Sequence, residues 1–69
     1  MNISARNMLK GRVKQVTSGT ISAEVIIELP GGGEIVAIIS TSSAERLRLS
    51  QGREAYAVIR ANDVMVATD

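Results

Sequence analysis

Ile21, Ala23, Val25, Ile27 and Leu29 alternate with Ser22, Glu24 and Glu28, and this stretch narrows the fold more than any other part of the chain. A period of two puts the apolar side chains on one side of a β-strand and the polar ones on the other, whereas a helix would scatter them around its axis. Only Ile26 breaks the pattern. Pro30-Gly31-Gly32-Gly33 then closes the run with a hairpin-compatible loop, so the next segment returns antiparallel. That segment, Glu34 to Ile39, carries Ile35, Ala37 and Ile39 on one face but Val36 and Ile38 on the other. Glu54 to Arg60 repeats the arrangement, with Ala55, Ala57 and Ile59 opposite Tyr56 and Val58. One small barrel covers only its inner face, so the second apolar face (Val36, Ile38, Tyr56, Val58 and Ile26) calls for a cover, and subunit contact supplies one.

The remaining elements follow from the same reading. Between Met8 and Val16, Leu9 and Val13 share a phase with Gly11, and Val16 then falls out of it; a glycine followed by a phase change predicts a bulge or sharp bend. Thr17-Ser18-Gly19-Thr20 reads as the turn into the second strand, and Val64-Met65-Val66-Ala67 as a short fifth strand. The only helical signal is Ser43 to Leu49. Ser42 and Glu45 fit a capping box, Leu47 gives the inward contact, and Gly52 ends the unit in a left-handed turn. The expected fold is all-β: a small five-stranded OB-like barrel, one domain over residues 1–69, with one short helix between strands three and four.

Composition removes several function classes. A domain of 69 residues buries only about 60% of its unfolded surface. With no Cys and no His it has neither a disulfide nor a Cys/His metal site to compensate, which leaves association. The same absences, together with the lack of locally paired acids, argue against an enzyme. Eight Lys+Arg against seven Asp+Glu give a net charge of +1, and Tyr56 is the lone aromatic. Polyanion attraction and base stacking are therefore both weakly provided for. No apolar run suits a secretory signal or a membrane span, so a cytoplasmic protein is expected. The Met1 start and Asp69 end, without linker composition, favour a free-standing protein over a domain cut from a regulator or transporter.

Three clusters of hydrogen-bond donors stand out. Ser4-Ala5-Arg6-Asn7 combines a hydroxyl with a guanidinium that only donates, although taken alone it also reads as a loose terminus. Ser40-Thr41-Ser42-Ser43 places hydroxyls where a strand gives way to a helix, which capping by Ser42 explains in part. Arg60-Ala61-Asn62-Asp63 reads as a solvated turn, or as an ion pair of little weight at a surface. Gly31-Gly32-Gly33-Glu34 lacks the lysine and hydroxyl residue of a phosphate-binding loop and is a turn. Serines, arginines and backbone amides in an otherwise neutral, aromatic-poor chain suggest a site for a small oxyanion.

Ile3-Ser4-Ala5-Arg6-Asn7 followed by Leu9-Lys10-Gly11 resembles the opening signature of the molbindins, small molybdenum-pterin-binding proteins that bind molybdate. Similar modules occur in molybdate-responsive regulators and molybdate transporter ATPases. The similarity continues through the second strand, the glycine-rich hairpin, Ile39-Ser40 and Val64-Met65, and so covers essentially the whole chain. The resemblance implies a homohexamer, a trimer of dimers, with oxyanions at subunit interfaces. It assigns Ser4 and Arg6 to one subunit, and Ser40, Ser43, Arg60 and the Ala61 backbone amide to its neighbour. Arg60 stands where the family often has lysine, and it brings a larger planar fork. The family also has a second class of sites near the threefold axis, to which no residue here is assigned.

Such a site suits molybdate, a dianion with four acceptor oxygens and no proton. Hydrogen phosphate would leave its proton unpaired among donors, whereas tungstate and sulfate meet the same pattern. The expectation is a molybdate-binding storage or buffering protein, with tungstate as a further ligand, no organic cofactor, no reaction and no membrane partner. The alternative is a small nucleic-acid-binding OB module.

Overall fold

The computed structural model describes residues 2–69; Met1, the first residue of the expected domain, lies outside the described residues. Four strands, β1 (Asn7–Ser18), β2 (Ser22–Glu28), β3 (Glu34–Ser40) and β4 (Glu54–Ile59), form one antiparallel curled sheet in the order β3-β2-β1-β4. A short helix, α1 (Thr41–Arg46), follows β3, and a single 3-10 turn (Ala61–Asp63) follows β4.

β1 organises the sheet because it pairs twice. Its first half, Asn7 to Arg12, lies against β4, and its second half, Arg12 to Ser18, lies against β2. The register slips between Val13 and Gln15, leaving Lys14 as the extra residue of a bulge. An inserted residue bends a strand and reverses its side-chain phase, so Val13 and Val16 both turn towards the core. This is the bend that the phase change near Gly11 predicts. Gly11 is needed for a different reason: a Cβ there would collide with the backbone oxygen of Glu28 and lie 2.8 Å from Ile27 Cγ2. Any side chain at that position pushes β1 away from β2.

Val13, Val25, Ile27 and Ala57 form the buried core, with Val16, Leu29, Ile35, Ala37, Ile39, Leu49 and Ala55 packed on it. The alternation of β2 is read correctly at Ala23, Val25 and Ile27, all buried. Ile21 is not part of that face. It belongs to the Gly19–Ile21 link between β1 and β2, where the Gly19 N–H bonds the Ser22 carbonyl at 2.8 Å, and it is 82% exposed.

Four further expectations are corrected. Val64–Ala67 has no ladder partner among the described residues, which hold four strands and not five, and Met65 and Val66 are almost fully exposed. A β-propensity run becomes a strand only when it pairs with a neighbour, and this run, which follows the 3-10 turn, forms no ladder with the sheet. The helix starts at Thr41 and not Ser43, with Ser40 as N-cap: the Ser43 N–H donates to Ser40 Oγ at 3.0 Å, which displaces the expected Ser42–Glu45 box. Leu47 is the exposed C-cap residue, and the inward contacts are made instead by Ala44 within the helix and Leu49 beyond it. The helix ends on Arg48, at φ 56°, in a Schellman motif: the Arg48 N–H bonds the Glu45 carbonyl and the Leu49 N–H bonds the Ala44 carbonyl. Gly52, also left-handed, serves instead the turn into β4, where its N–H donates to the Val13 carbonyl at 2.8 Å.

The second apolar face is uncovered within the chain. Register opposes Ile26 to Val36 and Glu24 to Ile38, placing Val36 and Ile38 on the outer surface, where they are exposed together with Tyr56 and Val58. The sheet edges β3 and β4 remain unpaired. Between them lies a groove of about 730 Å³ whose walls include Ile35, Ala37, Ile39, Ala55 and Ile59.

Candidate functional site

The last rung of the β1–β4 ladder pairs Asn7 with Ile59. Residues just before Asn7 and just after Ile59 therefore leave the sheet at the same end, side by side. Ser4, Ala5 and Arg6 form one wall of a cleft and Arg60, Ala61 and Asn62 the other, enclosing about 310 Å³. Two of the three donor clusters thus meet within one chain, and four expected site residues, Ser4, Arg6, Arg60 and Ala61, line one space.

The walls differ in how they are held. Arg60 begins the 3-10 turn, which is closed twice: the Asp63 N–H bonds the Arg60 carbonyl at 3.0 Å, and Arg60 Nε bonds Asp63 Oδ2 at 3.0 Å. Engaging Nε leaves the two outer nitrogens of this exposed guanidinium with donors to spare. Arg6 has no carboxylate within ion-pair distance among the described residues, and its wall is tied to the other through the bond from Asn7 Nδ2 to the Ile59 carbonyl, 3.2 Å long. Both arginines are exposed. The cleft is thus a cationic, donor-rich concavity suited to an anion.

Ser40 and Ser43 lie elsewhere. Ser40 ends β3 opposite Ser22, next to the rung that pairs Ala23 with Ser18, the last residue of β1. Asn7 is the first residue of β1. A 12-residue strand rising roughly 3.3 Å per residue separates the two regions, even with a bend at the bulge. No single small anion touches both from one chain. Within the serine cluster Ser40 Oγ donates to Ser43 Oγ at 2.7 Å, accepts from the Ser43 N–H and approaches Ser42 Oγ at 3.3 Å, while Thr41 Oγ1 donates to the Gly19 carbonyl at 2.8 Å. Ser43 Oγ, having accepted, keeps its own proton free to donate.

Two residues of the cleft were visible in the sequence without a role. Asn62 lines the cleft and Asn7 ties its walls, yet nothing local in the sequence shows that positions 52 apart meet. Among the described residues no group of three or more acidic side chains is placed to hold a metal ion, and no helix is long and apolar enough to cross a membrane.

The chain is similar to several known proteins. Residues 3–66 match the TOBE domain. The chain is 50% identical over 66 residues to molybdenum-pterin-binding protein 1 of Clostridium pasteurianum, covering 96% of this chain and 97% of that protein. Among solved structures, the molybdate-binding protein from Sporomusa ovata superposes with a TM-score of 0.92 at 34% identity, over 99% of this chain and all of that one. The cytoplasmic molybdate-binding protein ModG, with molybdate bound, gives 0.85 at 41% identity over 88% of this chain and 43% of its own.

Proposed function

Because the chain belongs to the TOBE-domain family, among the molbindins, we propose that it binds molybdate at the subunit interfaces of a homohexamer. The observation that carries this reading is the placement of the donors. Ser4, Arg6, Arg60 and Ala61 gather at one end of β1, while Ser40 and Ser43 sit at the other, so a site that uses all six closes only between two chains. The division that follows gives Arg60 and Ala61 to the same chain as Ser4 and Arg6, with Ser40 and Ser43 from the neighbour. It differs from the division implied by resemblance, in which Arg60 and Ala61 join the serines.

Each component suits the ligand. The guanidinium groups of Arg6 and Arg60 oppose the two negative charges; the hydroxyls of Ser4, Ser40 and Ser43 and the Ala61 N–H supply donors without a charge. Asp63, whose Oδ2 accepts from Arg60 Nε, does not line the cleft, so a proton on hydrogen phosphate meets no carboxylate in its walls. Tungstate satisfies the same donors. With charge-assisted bonds contributing about 1.5–3 kcal/mol each, a few of them reach micromolar affinity or tighter. The uncovered face of Val36, Ile38, Tyr56 and Val58 and the open β3–β4 groove are the surfaces on which further copies pack. The chain performs no reaction and needs no organic cofactor; it stores or buffers the oxyanion in the cytoplasm.

Equilibrium dialysis is expected to find several molybdate ions per hexamer, and light scattering to find the hexamer at micromolar chain concentration. A protein that binds none at millimolar molybdate contradicts the reading. A stable monomer contradicts its assembly.

A further inference from the structure

We propose that Asn7 is a positioning residue of the cleft, whose side-chain amide holds the Ser4–Arg6 wall against the Arg60–Asn62 wall. The inference rests on the molybdate reading for its ligand but on the chain's own geometry for its substance. Arg6 and Arg60 carry like charges and line one space just beyond the last rung of the β1–β4 ladder, so in the empty site they repel where backbone pairing has ended, and a side-chain contact at that rung opposes their separation. Asn7 immediately follows Arg6, Ile59 immediately precedes Arg60, and the bond from Asn7 Nδ2 to the Ile59 carbonyl crosses between the two at the point where they leave the sheet. It is half-buried, unlike the other side-chain hydrogen bonds among the described residues, and it joins positions 52 apart.

The chemistry also settles which end of the amide points inward. A carbonyl only accepts, so the NH₂ group must face Ile59, and no acceptor-only side chain replaces it. Serine or alanine at position 7 falls short of the carbonyl; leucine fills the space without a donor. A neutral histidine places a ring N–H close to where Nδ2 stands. Asn7 itself is absent from the lining of the cleft, so it acts on the anion through its neighbours and not by contact.

The test compares Asn7→Leu and Asn7→His in the assembled protein at pH 8, where an ordinary histidine is neutral and adds no charge. Calorimetry with molybdate is expected to give about tenfold weaker binding for Asn7→Leu and recovery of most of that loss in Asn7→His. Amide relaxation of Ser4, Ala5 and Arg6 in the ligand-free protein is the second readout: these amides are as ordered as β1 in the parent and drop to order parameters below about 0.6 in Asn7→Leu. Unchanged affinity in Asn7→Leu, a histidine variant as weak as the leucine one, or unchanged order of the three amides each overturns the proposal. If the parent protein binds no molybdate, the functional reading fails, while the amide order still decides the role of Asn7.

Discussion

The arginine cleft and the serine cluster are both rich in donors, but they are built in opposite ways. The serine cluster is local: Ser40, Ser42 and Ser43 bond one another and the first turn of α1, so the backbone there fixes itself. The arginine cleft is assembled from the two ends of the chain, its walls meeting only because β1 and β4 pair from Arg12–Glu54 out to Asn7–Ile59. The first region needs no ligand to be satisfied. The second presents two exposed cations, with one carboxylate, Asp63, set against Arg60. A capping cluster that also has a free hydroxyl proton and a cleft that carries two cations beside the Ser4 hydroxyl and the Ala61 N–H complement each other, and they lie too far apart in one chain to do so.

The largest expected effect separates the regions by ligand. Arg6→Ala removes an unpaired guanidinium and is expected to abolish molybdate binding at the shared interface, about 100-fold or more in affinity, with assembly retained, as read by calorimetry and light scattering. Unchanged affinity and stoichiometry would remove Arg6 from the site. Ser40→Ala comes next and mixes the two roles: it deletes the N-cap, lowering stability by about 1 kcal/mol in thermal or denaturant unfolding, and it weakens molybdate as well. Ser43→Ala sharpens the contrast, because the cap bond uses the Ser43 backbone and survives; molybdate affinity is expected to fall several-fold with stability nearly unchanged. A Ser43→Ala variant that lost stability but not affinity would confine the cluster to capping.

How much of this could be read from the sequence follows the same division. Period-two alternation identified the faces of β2, β3 and β4, because strand side chains alternate whatever the tertiary context. The bulge was legible as a phase change between Val13 and Val16. The failures lie where a partner decides. Val64–Ala67 has strand composition but pairs with neither edge of the sheet, and Ile21 has the right parity but falls in a turn. The capping residue was misplaced by two positions because Ser40 and Ser42 offer the same chemistry, and only the backbone conformation at Ser40 (φ −67°, ψ 148°) selects between them. Six candidate site residues could be named by motif, but the cleft that joins Arg6 to Arg60 depends on the Asn7–Ile59 rung, which no local pattern encodes.

The smallest effect concerns β1 between the two regions. At the bulge Lys14 reaches Glu34, and that hydrogen bond and charge raise the Lys14 pKa above its ordinary value. A folded-state pKa above the unfolded one stabilises below the unfolded value and loses that contribution as pH rises through the folded one. Thermal midpoints are therefore expected to fall slightly more from pH 9 to pH 12 in the parent than in Glu34→Gln, a small difference because the pair is solvent-exposed. Equal slopes would show that the pair does not hold the bulge.

The central claim is that an oxyanion is held by the cleft of one chain and the serines of another, and subunit complementation tests it most directly. Arg6→Ala chains and Ser40→Ala/Ser43→Ala chains, each deficient alone, are unfolded together, refolded at equal amounts and titrated with molybdate. Sites formed between chains are expected to return at about a quarter of the parent number, since random assortment joins an intact cleft to intact serines at that frequency. A mixed assembly that binds no more molybdate than its two parents would show that cleft and serines do not meet across an interface.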